Sequence, residues 1–195
     1  MIGPTLTLAD VTRESVNFLK LYYSSLKPPI PIEDIIEIKM GIGLSIVPGI
    51  KLLLGIDSFI NSDFTGITID EDCFKLYPER TRFSIAHEIG HLILHKEWYT
   101  RNGPKSLDDY LTFHDRIDKE IYKFIEIQAH TFAGLILVPS SALLAELKIK
   151  MGKIPSNEAP EILIPIAQDL LDTFQVSGEV ILRRLQKEGI IKTDS

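Results

Sequence analysis

From Pro78 to about Lys96 the apolar residues recur at helical spacing, and Pro78 stands where a first helical turn tolerates proline. Inside that run lie His87 and His91, four positions apart, with Glu88 between them. At 3.6 residues per turn, such positions are about 40° apart around the axis and roughly 6 Å apart along it. Two imidazoles placed this way can converge on one ion at the usual zinc–nitrogen distance of about 2.0–2.1 Å. Glu88 precedes His91 by three residues, so it lies beside the pair and can reach an attacking water without becoming a ligand. The bland alternative is a surface helix with two solvated histidines. Ile85, Ile89, Leu92 and Ile93 argue against it, because they give the helix an apolar side to bury. Gly90 costs about 1 kcal/mol against alanine in a helix. Its plausible use is the close approach of a neighbouring element.

Two histidines do not complete a catalytic zinc site, which takes a third protein ligand and leaves a fourth position open. His95 continues the same stripe, but it lies about 12 Å along the axis from His87, too far to share the ion. It reads as a structural or supporting residue. His114 falls in a polar stretch and reads as an ordinary solvated histidine. Glu126 is the better third ligand. It belongs to the next long helical pattern, where Ala129, Ala133 and Gly134 are small enough to admit close packing on the His87–His91 helix. A carboxylate on a mostly apolar helix is costly to bury unless it is paired or metal-bound. On spacing alone, a solvated glutamate on the outer face remains open.

The rest of the chain reads as α+β, with few strands and many helices. Asp10 marks the cap of a first helix, with Val11, Phe18, Leu19 and Tyr22 at helical spacing up to Pro28-Pro29. Ile32, Ile35, Ile36 and Met40 mark a second helix, and Leu44 to Val47 a short strand. Gly66 to Ile69 and Cys73 to Leu76, joined by Asp70-Glu71-Asp72, read as a hairpin that offers an edge strand to an extended substrate. Trp98 to Asp115, broken by Asn102-Gly103-Pro104, reads as a long loop. Ile117 to Leu137 is helical. A short helix capped by Ser140 or Ser141 follows it, then a linker from Gly152 to Pro160. A C-terminal helical pair spans Ile162 to Phe174 and Gly178 to Lys187. The expected organisation is one domain over residues 1–195, with a core at about 30–151 and a helical subdomain at about 160–191.

Composition narrows the function. The 195 residues are 45% hydrophobic and 25% charged, which suits a globular chain with a real core. A net charge of −6 argues against a general nucleic-acid scaffold, so no direct nucleic-acid partner is expected. Arg183, Arg184 and Lys187 on the last helix could suggest DNA contact, but Glu179 and Glu188 dilute them. Cys73 is the single cysteine, so no internal disulfide can form, which fits a reducing compartment. Neither a signal peptide nor a membrane span is read in the sequence, and a cytoplasmic location is the expectation.

The block from Arg80 through Arg82-Phe83-Ser84-Ile85-Ala86-His87-Glu88-Ile89-Gly90-His91-Leu92-Ile93-Leu94-His95 resembles the signature of the ImmA/IrrE family of metallopeptidases. The run from Glu126 through Ala129, Phe132-Ala133-Gly134 and Ile136-Leu137-Val138-Pro139 is similar to that family's second motif. Phe64-Thr65-Gly66-Ile67 looks like its strand entry, and Phe174-Gln175-Val176-Ser177 with Arg184-Leu185 and Gly189 like its C-terminal element. The resemblance implies a zincin-like, gluzincin-type fold: a small antiparallel or mixed sheet, an H-E-x-x-H helix and a C-terminal helical extension. It implies Zn2+ held by His87, His91 and Glu126, with Glu88 catalytic. It also implies a helix-turn-helix transcriptional repressor as the protein partner. Only about 30 residues precede the matched region, so that repressor is expected from another chain.

One position departs from the family pattern. His130 stands where relatives tend to carry Asn or Asp, four residues after Glu126 on the same helix face. The family role there is to orient a zinc-bound imidazole from behind. A neutral histidine can accept through only one nitrogen, and a three-histidine site using His130 stays open as an alternative. The expected activity is metal-assisted peptide hydrolysis. Its competitor is a regulatory binding module, in which a metal-shaped surface inactivates a repressor or antitoxin-like partner without turnover. An intact Glu88 favours the enzyme.

Overall fold

The computed structural model describes residues 6–192. Helix α1 (Leu8–Tyr22) opens on a capping box: the Thr7 hydroxyl accepts from the Asp10 N–H, and the Asp10 carboxylate accepts from the Thr7 N–H. Thr7, not Asp10, is therefore the cap, and Asp10 is its reciprocal partner inside the first turn. Val11, Phe18 and Leu19 are buried. The second helical segment is one α-turn, α2 (Ile32–Asp34), which widens into a π-turn over Ile35–Lys39.

Three strands follow, β1 (Gly43–Val47), β2 (Ser58–Ile60) and β3 (Gly66–Asp70), with the five-residue helix α3 (Ile50–Leu54) between the first two. Their order is β1-β3-β2. β1 runs parallel to β3 in the register Leu44↔Ile67, and β2 runs antiparallel to it with Phe59 opposite Thr68. Phe59, Ile60, Ile67 and Ile69 are buried, so the sheet is short but covered.

The hairpin expected over Gly66 to Leu76 does not form. Its first arm is β3, but its second is a helix, α4 (Glu71–Leu76). The cause is Asp70, whose carboxylate accepts from the N–H groups of Asp72, Cys73 and Lys51. That is an N-cap, and the acids Glu71 and Asp72 in the first turn favour a helix N-terminus. The true hairpin is β2–β3. It leaves β3 in the sheet centre, where no substrate strand can pair with it.

Helix α5 (Pro78–Leu94) follows, and Thr81, Arg82 and every residue from Ser84 to His91 are buried. A helix covered on nearly all sides is a core helix. The stretch expected as a long loop is two helices, α6 (Lys96–Asn102) and α7 (Leu107–Arg116). Gly103-Pro104 only turns the chain between them, and the Ser106 hydroxyl caps α7 by accepting from Asp109 N–H. Trp98, Tyr99, Tyr110 and Phe113 anchor both helices in the core.

Helix α8 (Lys119–Leu137) lies against both α5 and α1, and α9 (Ser140–Met151) begins after Pro139 without a side-chain cap. A 3-10 turn (Pro160–Ile166) leads to α10 (Ala167–Phe174) and α11 (Gly178–Lys187). Two buried arginines tie the parts together. Arg82 donates to Glu33, to the Ile30 carbonyl and to the Gln175 carbonyl. Arg184 donates to the Val138 carbonyl and the Ser140 hydroxyl and pairs with Glu188. No single helix among the described residues is long and apolar enough to cross a membrane.

Candidate metal centre

The site is built where α5 and α8 cross, and Gly90 sets their separation. A Cβ there would stand 3.0 Å from the Ala129 Cα and 3.2 Å from the Ala129 carbonyl oxygen. The glycine therefore lets the two backbones approach, which brings Glu126 of α8 to the Nε2 atoms of His87 and His91.

The three side chains meet at their donor atoms. His87 Nε2 and His91 Nε2 are 3.0 Å apart, Glu126 Oε2 is 3.2 Å from the first and Glu126 Oε1 3.3 Å from the second. Ligand atoms on a tetrahedral ion at about 2.0–2.1 Å would be about 3.3–3.4 Å from one another. The triangle is thus close to the edge length a zinc ion requires. Its chemistry fits as well, because two imidazole nitrogens and a carboxylate are lone-pair donors that repel unless a cation or proton lies among them. Glu126 Oε1 is buried without a hydrogen-bond partner.

Charge coupling follows the same geometry. Burial pushes the Glu126 carboxyl up, but the neighbouring His87 and His91 outweigh it and hold the group well below its ordinary range. For His87 burial acts downward, and the Glu126 carboxylate reverses it to a net rise.

Glu88 is buried and bonded to the sheet. Its Oε1 accepts from the Ser58 hydroxyl at 2.7 Å and its Oε2 from the Ile60 N–H at 2.9 Å. Ser58 and Ile60 belong to edge strand β2. Asp57 and Asn61 turn their backbone groups toward β3, so Ile60 between them presents its N–H outward, to Glu88 of α5.

His130 is exposed beside the triangle, its ring 4.5 Å from that of His87 and nearly perpendicular to it. Its Nδ1 lies 3.1 Å from the Glu126 carbonyl, which can only accept, so Nδ1 carries the proton. One nitrogen of His130, one of His87 and a Glu126 oxygen all lie within 4.8 Å of one another. The bond expected from His130 to a zinc-bound imidazole is not formed, since His87 Nδ1 is buried without a partner and His91 Nδ1 faces His95. His114 is exposed on α7, its Nε2 3.3 Å from the Tyr110 hydroxyl.

Several contacts were invisible to sequence reasoning. Tyr99 stacks on His91 with ring centroids 4.6 Å apart, and burial raises its phenol well above the usual range. His95 is buried, and burial, reinforced by His91, lowers its imidazole to about 3. It stands 3.2 Å from His91 and 2.9 Å from Gln128. Ser58 is thirty residues from Glu88 in an unremarked stretch, so no local signal marks it.

A helix-rich α+β domain with a small mixed sheet, two metal-capable histidines on one helix and a glutamate on the next is the class that fold and site define. The family described as the IrrE N-terminal-like domain, Peptidase M78, matches residues 75–186, and the chain belongs to that family. No curated protein matches the sequence. A solved structure described as a Mycobacterium tuberculosis transcriptional regulator shares the fold, with a TM-score of 0.54 at 16% identity. The likeness covers 91% of this chain and 46% of that one, so the chain spans less than half of that structure's length.

Proposed function

We propose that the chain is a zinc-dependent endopeptidase that cuts a peptide bond in a protein partner, a helix-turn-helix repressor supplied by another chain. The observation that carries this reading is the donor triangle of His87, His91 and Glu126, with sides of 3.0–3.3 Å and Glu88 one residue from its first corner. Family membership supports a peptidase, and the description of the similar fold as a transcriptional regulator is in keeping with a role in gene control. Cys73 is a free, buried thiol, which accords with the reducing cytoplasm.

His87, His91 and Glu126 would hold the metal in a gluzincin-type set. A bound zinc supplies Lewis acidity toward water and toward a carbonyl oxygen. Glu88 takes the proton of the attacking water and later passes it to the leaving amine. Each Glu88 oxygen keeps a second lone pair while accepting from Ser58 or Ile60, so the carboxylate is oriented and still able to act as a base. Because β3 is central, the strand next to the site is β2. Its outward edge is closed to a substrate strand at Ile60, whose N–H is already taken by Glu88.

The second reading, a binding module without turnover, rests on the same two hydrogen bonds, which hold Glu88 toward the sheet. The two readings separate when zinc-loaded protein and Glu88→Gln are incubated with candidate repressors encoded nearby. The proposal expects cleavage by the wild type and none by the variant at equal zinc content. Equal cleavage by both would remove Glu88 as base, and tight binding with no cleavage by the wild type would favour the binding module.

A further inference from the structure

Behind the donor triangle, four groups form an unbroken line of hydrogen bonds. His91 Nδ1 lies 3.2 Å from His95 Nδ1, His95 Nε2 lies 2.9 Å from Gln128 Oε1, and Gln128 Nε2 lies 2.8 Å from the Leu6 carbonyl oxygen. His91 and His95 are each 1% exposed and Gln128 9%, so the two links between side chains are shielded from water, while the last reaches the half-buried Leu6.

The order of protons along this line follows from its far end. A backbone carbonyl only accepts, so the Gln128 amide must turn its NH2 to Leu6 and its oxygen to His95. That oxygen also only accepts, so His95 must carry its proton on Nε2. A neutral His95 then offers a bare Nδ1, and the His91 Nδ1 facing it must be the donor. A neutral His91 then keeps its lone pair on Nε2, the atom that faces His87 and Glu126. His87 has no such support, because its Nδ1 is buried without a partner.

We propose that His95 and Gln128 are positioning residues: they relay a one-way hydrogen-bond chain from the Leu6 carbonyl, just before α1, that locks His91 in its Nδ1–H tautomer. In this site a histidine thus does what an acceptor carboxylate or carbonyl commonly does behind a metal-ligating imidazole. The consequence for metal binding rests on the zinc-centre reading above, whereas the proton order does not. His91 is the ligand held ready, and His87 the one ordered by the metal itself.

The test uses histidine labelled with 15N in the whole chain, with and without zinc. Wild type should show His95 protonated on Nε2 and bare on Nδ1 in both forms. A scalar coupling should connect His91 Nδ1 and His95 Nδ1 across their N–H···N bond. His95→Leu should weaken zinc binding about 10- to 100-fold in a chelator competition. Gln128→Glu keeps an acceptor for His95 and should preserve its Nε2–H tautomer, whereas Gln128→Leu should let His95 exchange tautomers. A His95 protonated on Nδ1 in wild type, or undiminished zinc affinity in folded His95→Leu, would overturn the relay. Failure of wild type to bind zinc while the tautomers stand would sink the metal-centre reading alone.

Discussion

Gly90 and Ala129 meet with no room for a methyl group between them: a Cβ on Gly90 would lie 3.0 Å from the Ala129 Cα and 3.3 Å from its Cβ. This contact sits one residue from His91 and three from Glu126, so the separation of α5 and α8 there sets whether the three donor atoms can meet. Gly90→Ala offers a test with opposed signs. An ordinary helical glycine gains about 1 kcal/mol on replacement by alanine. Overpacking at a backbone contact costs about 1–3 kcal/mol. The expected outcome is a net loss of stability in urea unfolding, together with weaker zinc binding. A stabilised variant with unchanged zinc affinity would show that the helices can part without consequence.

Asp70 ends β3 and starts α4 by accepting from three backbone N–H groups. Burial raises its carboxyl, but these bonds outweigh it and the net shift is downward. A folded-state value below the unfolded one of about 3.9 means a contribution to stability present above that pH and lost as pH falls through the folded value. Asp70→Ala should cost about 0.5–2 kcal/mol at pH 7, as for other N-cap deletions. The gap to wild type should narrow below about pH 4. A gap independent of pH would mean that packing, not the carboxylate, is what the variant removes.

The reach of sequence reasoning differs between these two places. Helices α5 and α8 were legible because each carries a long apolar period, and Gly90 stood out as a residue with no local reason to be there. The 71–76 segment was not. Cys73, Phe74 and Leu76 suit a strand or a helix equally, only Cys73 is buried, and the decision lies in Asp70 bonding to backbone rather than in any apolar pattern. In α6 and α7 the Asn102-Gly103-Pro104 break dominated the reading. The anchors Trp98, Tyr99, Tyr110 and Phe113 become recognisable only when the core they fill is known. At the site, His87, Glu88, His91 and Glu126 could be named from spacing and resemblance. Ser58, Gln128 and the Leu6 carbonyl could not, because each acts through a contact between distant parts of the chain.

Ser58 donates to Glu88 at 2.7 Å from the edge strand, and hydrogen bonds to charged groups are worth about 1.5–3 kcal/mol. Ser58→Ala should therefore lower the turnover number by about tenfold or more while zinc content stays the same. Parallel loss of zinc and activity would instead make Ser58 a support of the fold around the metal.

The last helix separates packing from surface charge within two adjacent arginines. Arg184 is 3% exposed and donates to Val138 and Ser140, whereas Arg183 is exposed and pairs with Glu179. Arg184→Met should destabilise the chain by about 3 kcal/mol, because Glu188 loses its charged partner and keeps the Ser140 hydroxyl. Arg183→Ala should leave the unfolding midpoint unchanged within error. Similar effects from both would contradict the assignment of α11 as a packed element held by Arg184.

The central claim is that two helices deliver His87, His91 and Glu126 to a single zinc ion, and a zinc titration of three proteins tests it most directly. Wild type should bind one zinc per chain. Glu126→Ala should lose tight binding, while His130→Ala should keep an occupied site weakened by no more than about 100-fold. The opposite pattern, with Glu126→Ala retaining tight zinc and His130→Ala losing it, would contradict the account and place His130 among the ligands.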